Sequence, residues 1–174
     1  MEDEGRVKEI KISKFRMGLK FLKIFFYRVI KMRWYLPDTP EITVDQLFDR
    51  IQSGFSPLIL DHRPLTEFDG PGENEYMTVF GHIQNSKSMG IMKLASNLKD
   101  LQSFMKLVTD LEDLQSFKDT EIITICPGGG MSLISVDIMD EAGFTDVKSL
   151  KGGIVEWNKK GYPLVFTTFE TNSS

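Results

Sequence analysis

The sequence predicts an α/β domain built on a mostly parallel sheet, and three observations carry that expectation. Short segments of strand length, the apolar run at residues 58–60 and those at 121–125 and 146–150, alternate with segments of helical character. Glycines sit at the junctions where strands would pass into helices, at 128–130 and 152–153. The 174 residues are 41% apolar and 26% charged, a composition that supports one packed domain and excludes disorder, collagen and a disulfide scaffold.

The elements follow in order. Residues 14–36, KFRMGLKFLKIFFYRVIKMRWYL, place Arg16, Lys20, Lys23 and Lys31 in one helical stripe. Leu22, Phe25, Phe26, Val29 and Met32 cover the opposite side. Residues 1–36 therefore read as a basic amphipathic N-terminal extension. Two occupants of its apolar face are open: an anionic membrane surface, or protein, meaning the main domain or a second copy in a homodimer. Pro37 and Pro40 stop that helix and mark a boundary. Thr43 opens the next helix with Gln46 as its capping-box partner, and Gly54 ends it. Leu58-Ile59-Leu60 reads as a buried strand closing on Asp61-His62-Arg63-Pro64, and residues 69–81 read as a Gly- and acid-rich loop. A helical stretch follows in which DLQSF occurs at 100–104 and again at 113–117, without assigned meaning. The strand at 121–125 runs into Cys126, then Pro127 and three glycines, then a helix beginning near Met131 or Ser132. A strand at 146–150, Gly152-Gly153, and a helix through Trp157 to Lys160 complete the body, which ends near Leu164. Residues 165–174 are a C-terminal tail.

Charge and cysteine usage narrow the function. Residues 1–36 hold ten Lys/Arg against four acids, net +6, which leaves −10 for the remainder of a chain whose total is −4. An acidic body argues against nucleic-acid binding. The longest uninterrupted apolar run near the N-terminus, Ile24–Tyr27, is too short for a secretory signal or a membrane span. With one free thiol in the chain, a cytoplasmic location is expected, peripheral to a membrane if the N-terminal helix docks there.

That single cysteine cannot form an intramolecular disulfide or a Cys-only metal cage. Cys126 is either an inert strand-end residue or the centre of the chemistry. Its setting gives the second reading a mechanism. A tight glycine loop can aim the N–H groups of Gly128, Gly129, Gly130, Met131 and Ser132 at one point, and the following helix adds positive potential there. Pro127 has no N–H to give. Such a cradle holds an anion and favours a thiolate suited to attack on sulfur, phosphorus or an acyl carbon. The loop lacks the Lys of a phosphate-binding Walker motif and the spacing of a dinucleotide fingerprint. His62 and His82 are a poor metal-ligand set and read as structural, so no metal or cofactor is expected.

Four blocks in register over residues 41–164 resemble a single-domain rhodanese (sulfurtransferase). They are Leu60-Asp61-His62-Arg63 with Glu67-Phe68; Gly81-His82-Ile83 with Asn85-Ser86; Cys126, Gly129 and Ser132 of the active loop; and Ala142-Gly143-Phe144 followed by Leu150, Gly152-Gly153-Ile154 and Trp157. The resemblance implies a central, mostly parallel five-stranded sheet flanked by helices. It also implies an enzyme that moves sulfane sulfur from thiosulfate or a persulfide to a thiol acceptor through a Cys126 persulfide. The partners would be a small sulfur donor and a thiol, including a sulfur-carrier protein. The chain departs from the family pattern at Met131, where many members carry Arg, and about a dozen residues are inserted before Gly81. Ser132 stands where related phosphatases need Arg, which argues against phosphatase chemistry. Asp61 and Arg63, with Glu67, are expected to form an ion-paired network; a second reading turns Arg63 toward the loop to attract donors. The alternative for the whole domain is a non-catalytic binding module docked on a membrane or partner by its N-terminal helix.

Overall fold

The computed structural model describes residues 39–70, 72–73, 78–89 and 113–166. The basic segment 14–36, the first DLQSF and residues 167–174 of the tail lie outside the described residues. The described chain runs β1 (Glu41–Ile42), α1 (Val44–Gln52), β2 (Leu58–Asp61), α2 (Leu65–Phe68), β3 (Lys87–Ser88), a 3-10 turn (Gln115–Phe117), β4 (Ile122–Ile125), α3 (Gly130–Glu141), β5 (Val147–Leu150) and α4 (Gly153–Lys159).

The five strands form one sheet in the order β1-β5-β4-β2-β3. Every pairing in it is parallel, as expected for strands joined through crossovers. Both faces are covered, which explains why every residue of β2 and of β4 is buried instead of every second one. On one face Leu58, Leu60 and Ile122 pack against Ile134, Ile138 and Met139 of α3. On the other, Ile59, Ile123 and Ile125 meet Leu47 of α1 and Ile154 and Trp157 of α4. Trp157 is a core residue as expected, and its indole N–H donates to the Pro163 carbonyl at 3.0 Å.

The start of α1 follows its capping box. Thr43 Oγ1 accepts the Gln46 N–H at 3.2 Å, and Gln46 Oε1 accepts the Thr43 N–H at 3.0 Å. Gly54, just past the helix end, takes φ +88°, a left-handed conformation that glycine adopts freely. The C-terminal ends of β2 and β4 lie side by side, with Asp61 opposite Ile125, and this edge carries the Cys126 loop. In open parallel sheets the crevice at the strands' carboxyl ends is where ligands bind.

Candidate functional site

Cys126 follows β4 directly, and the chain turns back over it through Pro127, Gly128 and Gly129 into α3. The helix begins at Gly130, a residue or two earlier than the sequence predicts, because Gly129 at φ +90° makes the turn and serves as its N-cap. Cys126 is buried, and its Sγ accepts the Gly129 N–H at 3.2 Å and the Ser132 N–H at 3.3 Å. Ser132 Oγ stands 3.5 Å from the same sulfur. Of the five N–H groups expected to converge, these two reach Sγ; no bond to the sulfur is formed by Gly128, Gly130 or Met131. The Gly128 position is exposed and those of Gly130 and Met131 are partly so. The Met131 side chain packs against the α3-side core instead of projecting a charge over the loop.

The loop is braced from below through Ser132 by two residues that the sequence does not single out, Ser149 and Thr124. Ser132 Oγ donates to the Gly129 carbonyl at 2.9 Å and lies 2.8 Å from Ser149 Oγ, contributed by β5. Thr124, opposite Ser149 in the sheet register, donates through Oγ1 to the Ser132 carbonyl at 3.2 Å. Polar residues at these sheet positions, where a packed α/β core calls for apolar ones, are the signal that could have identified them. Gly152 and Gly153 brace the loop from the side. The N–H groups of Ile154 and Val155 donate to the carbonyls of Cys126 and Pro127, each at 3.1 Å. A Cβ at Gly153 would lie 2.2 Å from the Cys126 carbonyl oxygen, so only glycine permits this approach.

Asp61 and Arg63 are wholly buried and paired, Arg63 Nη2 to Asp61 Oδ2 at 2.7 Å. Arg63 Nε also donates to Asp61 Oδ1 at 3.0 Å, while its two terminal nitrogens donate to the carbonyls of Val79 and, at 2.7 Å, Gly81. The guanidinium is thus committed to holding the 79–81 segment against β2, and no hydrogen bond joins it to the Cys126 loop among the described residues. Glu67 makes no ion pair with Arg63 among those residues. Its Oε2 is buried with no hydrogen-bond partner among the described residues, and burial pushes its carboxyl pKa up, with Arg63 opposing the shift. His82 stacks on Phe68 at 4.0 Å between centroids, with Nδ1 2.9 Å from the Phe68 carbonyl. His62 lies beside the loop. Its N–H donates to the Ile125 carbonyl at 2.9 Å, its Nδ1 is 2.8 Å from the Met89 carbonyl, and burial pushes its pKa below the ordinary histidine value.

A family model described as Rhodanese-like domain matches residues 43–160. The rhodanese-like domain of the Alr3790 protein from Anabaena sp. superposes with a TM-score of 0.55 at 21% identity, covering 78% of this chain and 85% of that one. Thiosulfate sulfurtransferase from Pseudomonas aeruginosa superposes with a TM-score of 0.52 at 18% identity, covering 85% of this chain and 23% of that one. At such identities the likeness is one of fold. No curated protein matches the chain. The family match, spanning more than half of the sequence and enclosing the whole Cys126 loop with its bracing strands, makes this protein a member of the rhodanese-like domain family.

Proposed function

We propose that the protein is a sulfurtransferase carrying sulfane sulfur on Cys126. The observation that carries this reading is the pair of loop N–H groups, from Gly129 and Ser132, already directed at Sγ. They stabilise negative charge on the sulfur without rearranging, which is how a preorganised site assists a charged nucleophile. In the first half-reaction Cys126 sulfur attacks the outer sulfur of a donor R–S–SH. A new S–S bond forms on Cys126, the donor's S–S bond breaks, and R–SH leaves. In the second, an acceptor thiol attacks the outer sulfur of the Cys126 persulfide, takes it away, and Cys126 returns as the thiol. No net oxidation occurs. With no second cysteine in the chain, the persulfide is discharged by another molecule.

Met131 bears on the donor. Among the described residues the loop offers neutral N–H donors and no guanidinium, since Arg63 is engaged elsewhere. A doubly charged donor such as thiosulfate is therefore disfavoured relative to a low-molecular-weight or protein persulfide. An adaptor module built on the same fold has no use for two N–H groups trained on a sulfur, which favours the catalytic reading. The test is mass spectrometry of the intact protein after exposure to a small persulfide or thiosulfate. Wild type gains ~32 Da on Cys126 and Cys126→Ala gains nothing; no adduct from any sulfane donor refutes the proposal.

A further inference from the structure

One buried titratable side chain beside the loop has no part in the chemistry above. The His62 N–H bond to the Ile125 carbonyl is the one a parallel ladder makes when His62 stands directly opposite Cys126. It continues the register that pairs Leu60 with Thr124 and Asp61 with Ile125. Leu58 and Leu60 face α3, so strand alternation places His62 on the α3 side. Cys126, bonded to the Ser132 N–H of α3, is on that same side. Neighbouring strands lie about 4.8 Å apart, so the backbones of His62 and Cys126 run side by side with both side chains on the α3 side of the sheet.

The tautomer of His62 follows from its partner. The Met89 carbonyl only accepts, so Nδ1 carries the hydrogen, and in the neutral ring Nε2 is left with a bare lone pair. His62 is fully buried, and among the described residues Nε2 has no hydrogen-bond partner. A buried acceptor left open is costly and calls for an explanation, since an apolar side chain would fill the position without that cost. Among the described residues, few charges surround it. Asp61, next in the chain, is turned to Arg63 on the opposite face; β4 contributes Cys126, and β3 leads into the Met89 carbonyl. On α3 the buried polar groups are the Ser132 and Ser135 hydroxyls, while Asp137, Asp140 and Glu141 occupy positions with solvent exposure. Burial keeps the ring neutral and able to accept a proton.

We propose that His62 is the proton relay of the sulfur-transfer site. The proposal rests on the sulfurtransferase reading. Nε2 takes the proton that the Cys126 thiol gives up on attacking the donor's outer sulfur, and passes it to the departing thiolate, which leaves as R–SH. In the second half-reaction Nε2 takes the acceptor thiol's proton and returns it to Cys126 as the persulfide bond breaks. The transient imidazolium also puts a positive charge beside the sulfur, where Met131 supplies none. No hydrogen bond joins Nε2 to Sγ in the resting site, and contacts of this kind tighten when substrate enters.

The experiment compares wild type with His62→Gln, whose amide can occupy the site but cannot take up a proton. Alkylation of Cys126 by iodoacetamide, followed against pH, requires no sulfur donor. The expected wild-type profile has two steps, the lower one below pH 6.5, and H62Q has one. Sulfur uptake from glutathione persulfide is expected to fall on the order of 100-fold at neutral pH in H62Q. Superimposable alkylation profiles, or uptake unchanged by the substitution, overturn the relay alone. Uptake absent from wild type as well overturns the sulfurtransferase reading and the relay with it. Should H62Q fail to fold, nitrogen NMR of the His62 ring in wild type and Cys126→Ser decides. A titration that differs between the two supports the relay, and identical titrations overturn it.

Discussion

Replacing Gly153 with alanine tests whether the Cys126 loop is held by backbone-to-backbone contact. At φ +60° the new Cβ would lie 2.2 Å from the Cys126 carbonyl oxygen, 2.5 Å from that of Pro127 and 2.8 Å from the Gly129 nitrogen. All three are main-chain atoms, so no side chain can swing aside; either the loop or the start of α4 must shift. Gly54 is the matched control, since it also has positive φ, at +88°, but its Cβ would meet nothing within 4 Å. Gly54→Ala should therefore cost only the left-handed backbone penalty, about 1–2 kcal/mol. Gly153→Ala adds overpacking of about 1–3 kcal/mol, for a total of about 2–5 kcal/mol. The Ile154 and Val155 hydrogen bonds to the loop carbonyls are strained as well. Urea denaturation of both variants gives the stabilities, and the mass adduct on Cys126 gives the state of the site. The expected outcome is a larger loss for Gly153→Ala together with slowed sulfur uptake, while Gly54→Ala takes up sulfur normally. Stabilities equal to within about 0.5 kcal/mol would refute the bracing argument.

Arg63→Met leaves the Asp61 carboxylate buried without a counter-ion and frees the Val79 and Gly81 carbonyls. A loss of about 3–5 kcal/mol in denaturant titration is expected; Arg63→Lys should recover little of it, because an ammonium cannot fork to three partners. Ser149→Ala removes the hydroxyl 2.8 Å from Ser132 Oγ. It should cost about 0.5–1.5 kcal/mol and slow persulfide formation by loosening Ser132, measured by the same two assays. His62 has a pKa lowered by burial, so the unfolded chain binds its proton first as pH falls. Its contribution is complete above the unfolded value of 6.5 and declines as pH drops toward the folded one. The slope is at most about 1.4 kcal/mol per pH unit in that window, and H62Q should lack it.

Local chemistry made much of this fold readable in advance. Leu58–Leu60 and the largely apolar run ending at Ile125 announce buried strands, and Thr43 with Gln46 announces a helix start through a three-residue hydrogen-bond exchange. The loop was legible because Cys126, the glycines and Ser132 are contiguous. β1 and β3 were not, being two residues each, with Lys87 and Ser88 exposed and no periodicity to detect. They are strands because β5 and β2 lie beside them, a fact of register and not of composition. The same holds for Ser149 and for the place of His62 opposite Cys126, which depend on sheet order. Arg63 was assigned to its ion pair by its neighbours in sequence, whereas the Val79 and Gly81 carbonyls reach it across an intervening loop.

The pairing of β1 with β5 also bears on how the molecule is made. Glu41 meets Ser149, so one edge of the sheet stays incomplete until β5 has emerged. Gly152 and Gly153, which brace the thiol loop, are synthesised later still. During translation the Gly129 and Ser132 donors emerge just after Cys126, whereas the bracing of the loop by Ser149, Gly152 and Gly153 arrives late, with β5 and α4. On the sulfurtransferase reading, the thiol loop is fully braced only once folding is complete.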